Sequence, residues 1–190
     1  MALTRRHLLT ALPVIGTAAL GVGFWEMLKG MKSGHFDPHA VDTPIIGRDL
    51  PDFPALEGLT DLGEGFSSET LRAQTKPVLV NFMASWCVPC VLEMPFLKTV
   101  SSEATIWGIV YKDKAERAAA FIQRNGAPYQ RIGQDPQGTA AIEWGVTGVP
   151  ESFLVMPGGK IVWHGSAALD KDTFLYTIRP MLNQFKEKAG

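Results

Sequence analysis

Apolar and polar positions alternate along the second two thirds of the chain in two different rhythms, and the changes of rhythm mark out its elements. Val78-Leu79-Val80 and Phe82-Met83, broken only by Asn81, predict a strand over 78–83, with a short helix opening at Ser67-Ser68 before it. Val91, Met94 and Leu97 then recur at helical spacing and predict a helix over 88–100, for which these three side chains form the core face. Pro95 inside that stretch removes a backbone donor, so a kink is expected there. Ile106-Trp107-Gly108-Ile109-Val110 predicts the next strand, completing a strand–helix–strand unit. A helix over 114–124 stops at Asn125-Gly126; a short strand over 129–132 and a helical turn over 139–143 follow. Residues 152–156 and 160–163 flank Pro157-Gly158-Gly159 and read as a hairpin, and a last helix covers 171–185. Helices interleaved with strands, then a hairpin and a closing helix, define an α/β fold: a central mixed β-sheet flanked by helices on both faces.

The first thirty residues follow neither rhythm. Arg5, Arg6 and His7 precede an uncharged, largely apolar run from Leu8 to Trp25. A run of that length approaches the ~17–25 residues that span a bilayer and exceeds the ~7–15 of a cleaved signal core. Residues 1–30 are therefore expected to be a membrane anchor or an export signal, with the arginines held in the cytoplasm. Thr4-Arg5-Arg6-His7-Leu8-Leu9 also has the look of a twin-arginine signal, and Thr17-Ala18-Ala19 offers small residues for cleavage. Residues 31–62 are rich in Gly, Pro and Asp without a sustained period and read as a linker and extended lead-in, which leaves 63–190 as the folded domain.

A formal net charge of −1 gives no polyanion-binding surface, so nucleic acid is excluded as a partner. His35, His39 and His164 stand apart from any ligand cluster and read as solvated surface residues; no metal site and no cofactor is expected. The two cysteines, Cys87 and Cys90, are too close in sequence to restrain much chain, so their purpose is chemical. They follow an apolar strand and open a helix, where a C-x-x-C pair reads as a redox dithiol. At the helix start Cys87 faces unpaired amides and the positive end of the macrodipole, which favour its thiolate. It is the expected exposed nucleophile. Cys90, one turn on, is the expected buried thiol that resolves a mixed disulfide. Structural zinc would need a second ligand pair, and haem attachment would need His where Val91 stands. Trp86, just before the helix, reads as a lid over the thiols.

Lys76-Pro77-Val78-Leu79-Val80-Asn81-Phe82 running into Trp86-Cys87-Val88-Pro89-Cys90, then Glu93-Met94-Pro95, Tyr111-Lys112-Asp113 and Gly148-Val149-Pro150-Glu151, resembles the CcmG/DsbE family of membrane-tethered, thioredoxin-like proteins of cytochrome c maturation. The resemblance extends through Pro44-Ile45-Ile46-Gly47 and Pro51-Asp52-Phe53 and covers nearly the whole chain. It implies a thioredoxin fold and a thiol-disulfide oxidoreductase in the inner membrane, its catalytic domain facing the periplasm. It further implies that a DsbD- or CcdA-type membrane carrier supplies electrons, and that the substrate is a disulfide in apocytochrome c or in a CcmH-type thiol protein. Carried over by position, Val149-Pro150 is a cis bond beside the thiols, with Glu93 and Glu151 as acidic residues that tune the site. Two alternatives compete with this reading: a broader TlpA- or ResA-like reductase of exported proteins, and a non-catalytic docking protein for apocytochrome.

Overall fold

The computed structural model describes residues 16–17, 20–26, 45–126 and 128–189. The chain divides into two compact units, Met1–Val41 and Asp42–Gly190. In the first, residues 20–26 are helical, with Leu20, Val22, Phe24 and Trp25 exposed. Among the described residues no helix is long and apolar enough to cross a membrane. Most of the expected anchor, together with His35 and His39, lies outside the described residues.

The second unit is built on one six-stranded sheet in the order β1-β4-β3-β2-β5-β6. Its strands are β1 (Glu57–Gly58), β2 (Val78–Met83), β3 (Thr105–Tyr111), β4 (Arg131–Asp135), β5 (Glu151–Val155) and β6 (Ile161–Gly165). β2, β3 and β4 run parallel, while β5, β6 and β1 join antiparallel. The helices are α1 (Ser68–Arg72), α2 (Val88–Val100), α3 (Ala115–Asn125), α4 (Thr139–Glu143) and a closing helix α5. The last begins as Lys171–Thr173, widens into a π turn over Phe174–Ile178 and continues as Arg179–Ala189.

Every residue of β2 is buried, as a central strand covered on both faces requires. The strand's period of two sorts its side chains between two cores. Leu79 and Met83 join α2, α3 and α5 in one cluster, while Val78, Val80 and Phe82 join Leu71, Ala140, Ala141 and Trp144 in the other. The mixed sheet covered on both faces is as the apolar rhythm predicts.

Several boundaries and faces differ from that reading. The domain begins well before residue 63: Ile45, Leu50, Phe53, Leu56 and Leu59 are all buried. They escape a periodicity search because the lead-in crosses the sheet as extended chain. Gly47 and Arg48 hydrogen-bond Ile161 at one margin, and Glu57 and Gly58 pair with Gln134 and Gly133 at the other. On α2, Val91 is exposed and Glu93 is buried, so the inward face is Cys90, Glu93, Met94 and Leu97. β4 starts at Arg131, two residues later than expected, because Tyr129 leaves the strand path and turns its side chain inward. Its ring lies over Gly108 of β3, where an added Cβ would stand 3.0 Å from the ring.

Candidate active site

The reactive pair stands where β2 gives way to α2. Cys87 is the N-cap, with extended φ and ψ of −89° and 107°, and its Sγ accepts the Cys90 amide proton at 3.1 Å. Pro89 sits in the first turn, where its missing donor costs nothing. Cys87 and Cys90 are joined in a disulfide, with Cα atoms 5.3 Å apart. Both are nearly sealed from solvent, at 3 % and 2 % exposure, so the expected contrast between an open and a buried cysteine is absent from this oxidised state. Position separates them instead. Cys87 lies at the positive end of the helix, bracketed by exposed Trp86 and Val88, whereas Cys90 is one turn deeper on the face that carries Glu93 and Met94.

Two loops close around Cys87. Its Sγ lies 3.4 Å from the carbonyl oxygen of Val149, and the Val149-Pro150 bond is cis. Val149 is half-buried and Pro150 buried. On the other side, Asp113 Oδ2 accepts the Ser85 amide at 2.6 Å and the Lys112 carbonyl accepts the Trp86 indole N–H at 3.3 Å. Lys112 has φ of 45°, a left-handed backbone uncommon outside glycine, and this turn aims its carbonyl at the indole. Trp86 is 56 % exposed and lies outside the core, its ring beside Tyr111. The Tyr111-Lys112-Asp113 segment is thus a brace for the loop that carries Trp86.

The two glutamates lie on opposite faces of the sheet. Asn81 and Ser152, neighbours across β2 and β5, face α2; Phe82 and Glu151, the next pair, face the other core. Behind Cys90, Glu93 Oε1 accepts the Leu169 amide at 2.9 Å, with the Asn81 amide nitrogen 3.4–3.5 Å from its carboxylate. Asn81 is fixed in that orientation. Its Oδ1 accepts the Tyr129 hydroxyl at 2.8 Å, and its Nδ2 also donates to Ser152 Oγ at 3.0 Å. Burial pushes the Glu93 carboxyl up to about 7, against the opposing pull of the Leu169 and Asn81 hydrogen bonds. Burial, and then the Glu93 charge, raise the Tyr129 hydroxyl well above its usual range.

Glu151 is engaged differently. Oε1 accepts the Thr147 amide at 2.8 Å, the Thr147 hydroxyl at 2.6 Å and the Gly148 amide at 2.9 Å, while Oε2 meets His164 Nε2 at 2.8 Å. Burial alone would raise this carboxyl; the bonds from His164, Thr147 and Gly148 outweigh it and hold it below its ordinary value. His164 is therefore no surface residue: its side chain is 6 % exposed and stacks on Phe153 at 4.4 Å between ring centroids. With no ligand cluster beside it in the sequence, His164 carries no sign that a buried carboxylate waits two positions before its cross-strand partner, Phe153. Among the described residues no group of His, Cys, Asp and Glu is placed to hold a metal ion.

A C-x-x-C disulfide at the head of a helix, set against a cis-proline loop at the end of a mixed sheet, defines a thioredoxin-fold thiol-disulfide oxidoreductase. Comparison with known proteins places it further. Residues 46–164 match the AhpC/TSA family. The chain is 35 % identical to the thiol:disulfide interchange protein HelX of Rhodobacter capsulatus, over 90 % of this chain and 93 % of that one. It is 49 % identical to CycY of Rhizobium leguminosarum over 64 % and 72 % of the respective chains, and 29 % identical to DsbE of Escherichia coli K12 over 98 % and 99 %. Among solved structures, a secreted thiol-disulfide isomerase of Corynebacterium glutamicum shares the fold, with a TM-score of 0.61 at 21 % identity over 78 % of this chain and 98 % of that one. The protein belongs to the AhpC/TSA family and, within it, to the thiol:disulfide interchange proteins of the DsbE/CcmG group.

Proposed function

We propose that this oxidoreductase acts as a periplasm-facing reductant in cytochrome c maturation, opening a disulfide in apocytochrome c or in a CcmH-type thiol partner before haem is attached. The observation that carries the chemistry is the Cys87–Cys90 pair at the start of α2, with Glu93 buried one turn behind Cys90. Its relatives' names as interchange proteins support the exchange, and the motif resemblance supports the pathway. A membrane thiol carrier of the DsbD or CcdA type would return the disulfide to the dithiol, and residues 1–30 would tether the domain to the inner membrane.

The steps follow from where the groups sit. In the reduced protein the Cys90 amide and the helix dipole stabilise a thiolate on Cys87. That thiolate attacks one sulfur of the substrate disulfide; a mixed disulfide forms, and the other substrate sulfur leaves as a thiolate that takes a proton from water. Cys90 then gives its proton to the Glu93 carboxylate and attacks Cys87 Sγ. The Cys87–Cys90 disulfide forms, the second substrate thiolate departs, and two electrons have passed from protein to substrate. A carboxyl poised at about 7 suits this transfer at neutral pH, whereas the amide of Asn81 cannot titrate.

Trapping tests the assignment. Cys90→Ser should accumulate a covalent adduct through Cys87 with an oxidised peptide carrying Cys-x-x-Cys-His, resolved by non-reducing electrophoresis and mass spectrometry. Cys87→Ser should form little. Preferential trapping through Cys90 would reverse the roles, and equal trapping of an unrelated disulfide peptide would argue for a general reductase.

A further inference from the structure

We infer that His164 is a positioning residue for disulfide exchange, acting through Glu151 to hold the 147–149 loop where an incoming polypeptide meets Cys87. The loop begins beyond Val146, whose amide is tied back to Ala141, and ends where β5 starts at Glu151. Between those points Thr147 is exposed, and Gly148 and Val149 are half-buried. The bonds that shape it converge on one oxygen, Glu151 Oε1, which takes the amides of Thr147 and Gly148 and the Thr147 hydroxyl. The next residue presents the carbonyl that lies 3.4 Å from Cys87 Sγ.

A carboxylate is acceptor-only, and Oε1 has no capacity left. Oε2 is buried with it, and the contact at 2.8 Å is with His164 Nε2, so that nitrogen must carry the proton and donate. Take the donor away and a buried negative oxygen is left unsatisfied. The carboxylate then gains by rotating toward solvent or by taking up a proton, and either change breaks its grip on Thr147 and Gly148. His164 is itself fixed, stacked on Phe153 across the β5–β6 pair. A sequence of contacts therefore runs from β6 to the reactive sulfur: imidazole, carboxylate, loop amides, Val149 carbonyl, Cys87. Glu93, on the other sheet face, takes no part in it.

The inference rests on exchange through Cys87, and substrate size separates its failure from failure of that chemistry. On this proposal a peptide disulfide lays its backbone along the loop as its sulfur reaches Cys87, whereas a small disulfide such as hydroxyethyl disulfide reaches Cys87 without the loop. In the full-length chain, His164→Phe keeps the stacked ring and removes the donor. It should lower the second-order rate constant for reduction of a peptide disulfide by about ten-fold, with less than about two-fold change for hydroxyethyl disulfide. His164→Gln, which restores an N–H donor, should recover most of the loss. Because His164 acts through Glu151, the peptide-specific losses of His164→Phe and Glu151→Gln should not add in the double variant. Equal loss with both substrates, no rescue by Gln, or additive losses would each overturn the proposal. Should His164→Phe not fold, His164→Leu, which likewise offers no donor to Glu151, decides by the same peptide-specific loss. Loss of reduction of both disulfides in the Cys87→Ser control confirms that the assay reads the dithiol.

Discussion

Glu93 and Glu151 are both buried carboxylates within a turn or a bond of the reactive loop, yet their surroundings send them in opposite directions. One amide and a long contact from Asn81 leave Glu93 under-compensated, whereas four short bonds keep Glu151 ionised. A pH dependence follows for Glu93. In the folded oxidised protein it holds its proton to about 7 but loses it near 4.5 when unfolded, so folding binds a proton between those values. The stability that Glu93 contributes is fully present below 4.5 and is lost as pH rises through about 7, by an amount on the order of 2–4 kcal/mol; Glu151 acts in the opposite sense at lower pH. Urea unfolding of the oxidised protein from pH 4.5 to 8 should show that slope, and Glu93→Gln should flatten it; an equal slope in the variant would assign it elsewhere. The same variant should resolve mixed disulfides about a hundred-fold more slowly at pH 7, measured by release of a trapped thiol. Glu93 was legible as a site residue through the family motif but its burial was not, although helical spacing puts it beside Cys90, Met94 and Leu97. Val91 obscured it by offering a more apolar but wrong face.

The segments that brace the site were visible as letters without a purpose. Tyr111-Lys112-Asp113 marks a family resemblance, but only the structure shows Asp113 receiving the Ser85 amide and Lys112 turning left-handed to meet Trp86. Those contacts join residues 26–28 positions apart, beyond anything a local period encodes. Asp113→Ala should cost about 1–2 kcal/mol, the value of an amide bond to a charged acceptor partly replaced by water. It should also speed deuterium exchange at Ser85 while leaving the central β2 and β3 amides protected. An unchanged Ser85 amide would remove Asp113 from this role. The strands and helices of the first half were legible because each has a clean rhythm. The β4 start was not, since Tyr129 is apolar enough to pass for a strand residue and is drawn instead to the space above Gly108.

How the domain holds together depends on a stretch that composition alone presents as a linker. Ile45, Leu50, Phe53, Leu56 and Leu59 are buried by the lead-in. At about 1.5–3 kcal/mol for each fully buried side chain, their removal rivals the ~5–15 kcal/mol that keeps a whole domain folded. A chain cut to 63–190 should therefore show no cooperative thermal transition by circular dichroism, while 42–190 should melt as one unit; a folded 63–190 would make the lead-in dispensable. The path of this strap matters beyond stability. Unpaired strands at a sheet's margins invite another chain to add itself, the first step toward co-aggregation. Here the lead-in already occupies Lys160 and Ile161 at one margin and Gly133 and Gln134 at the other. The strap thus stabilises the domain and also caps part of each margin of the sheet, leaving less open strand edge on which another chain could add itself.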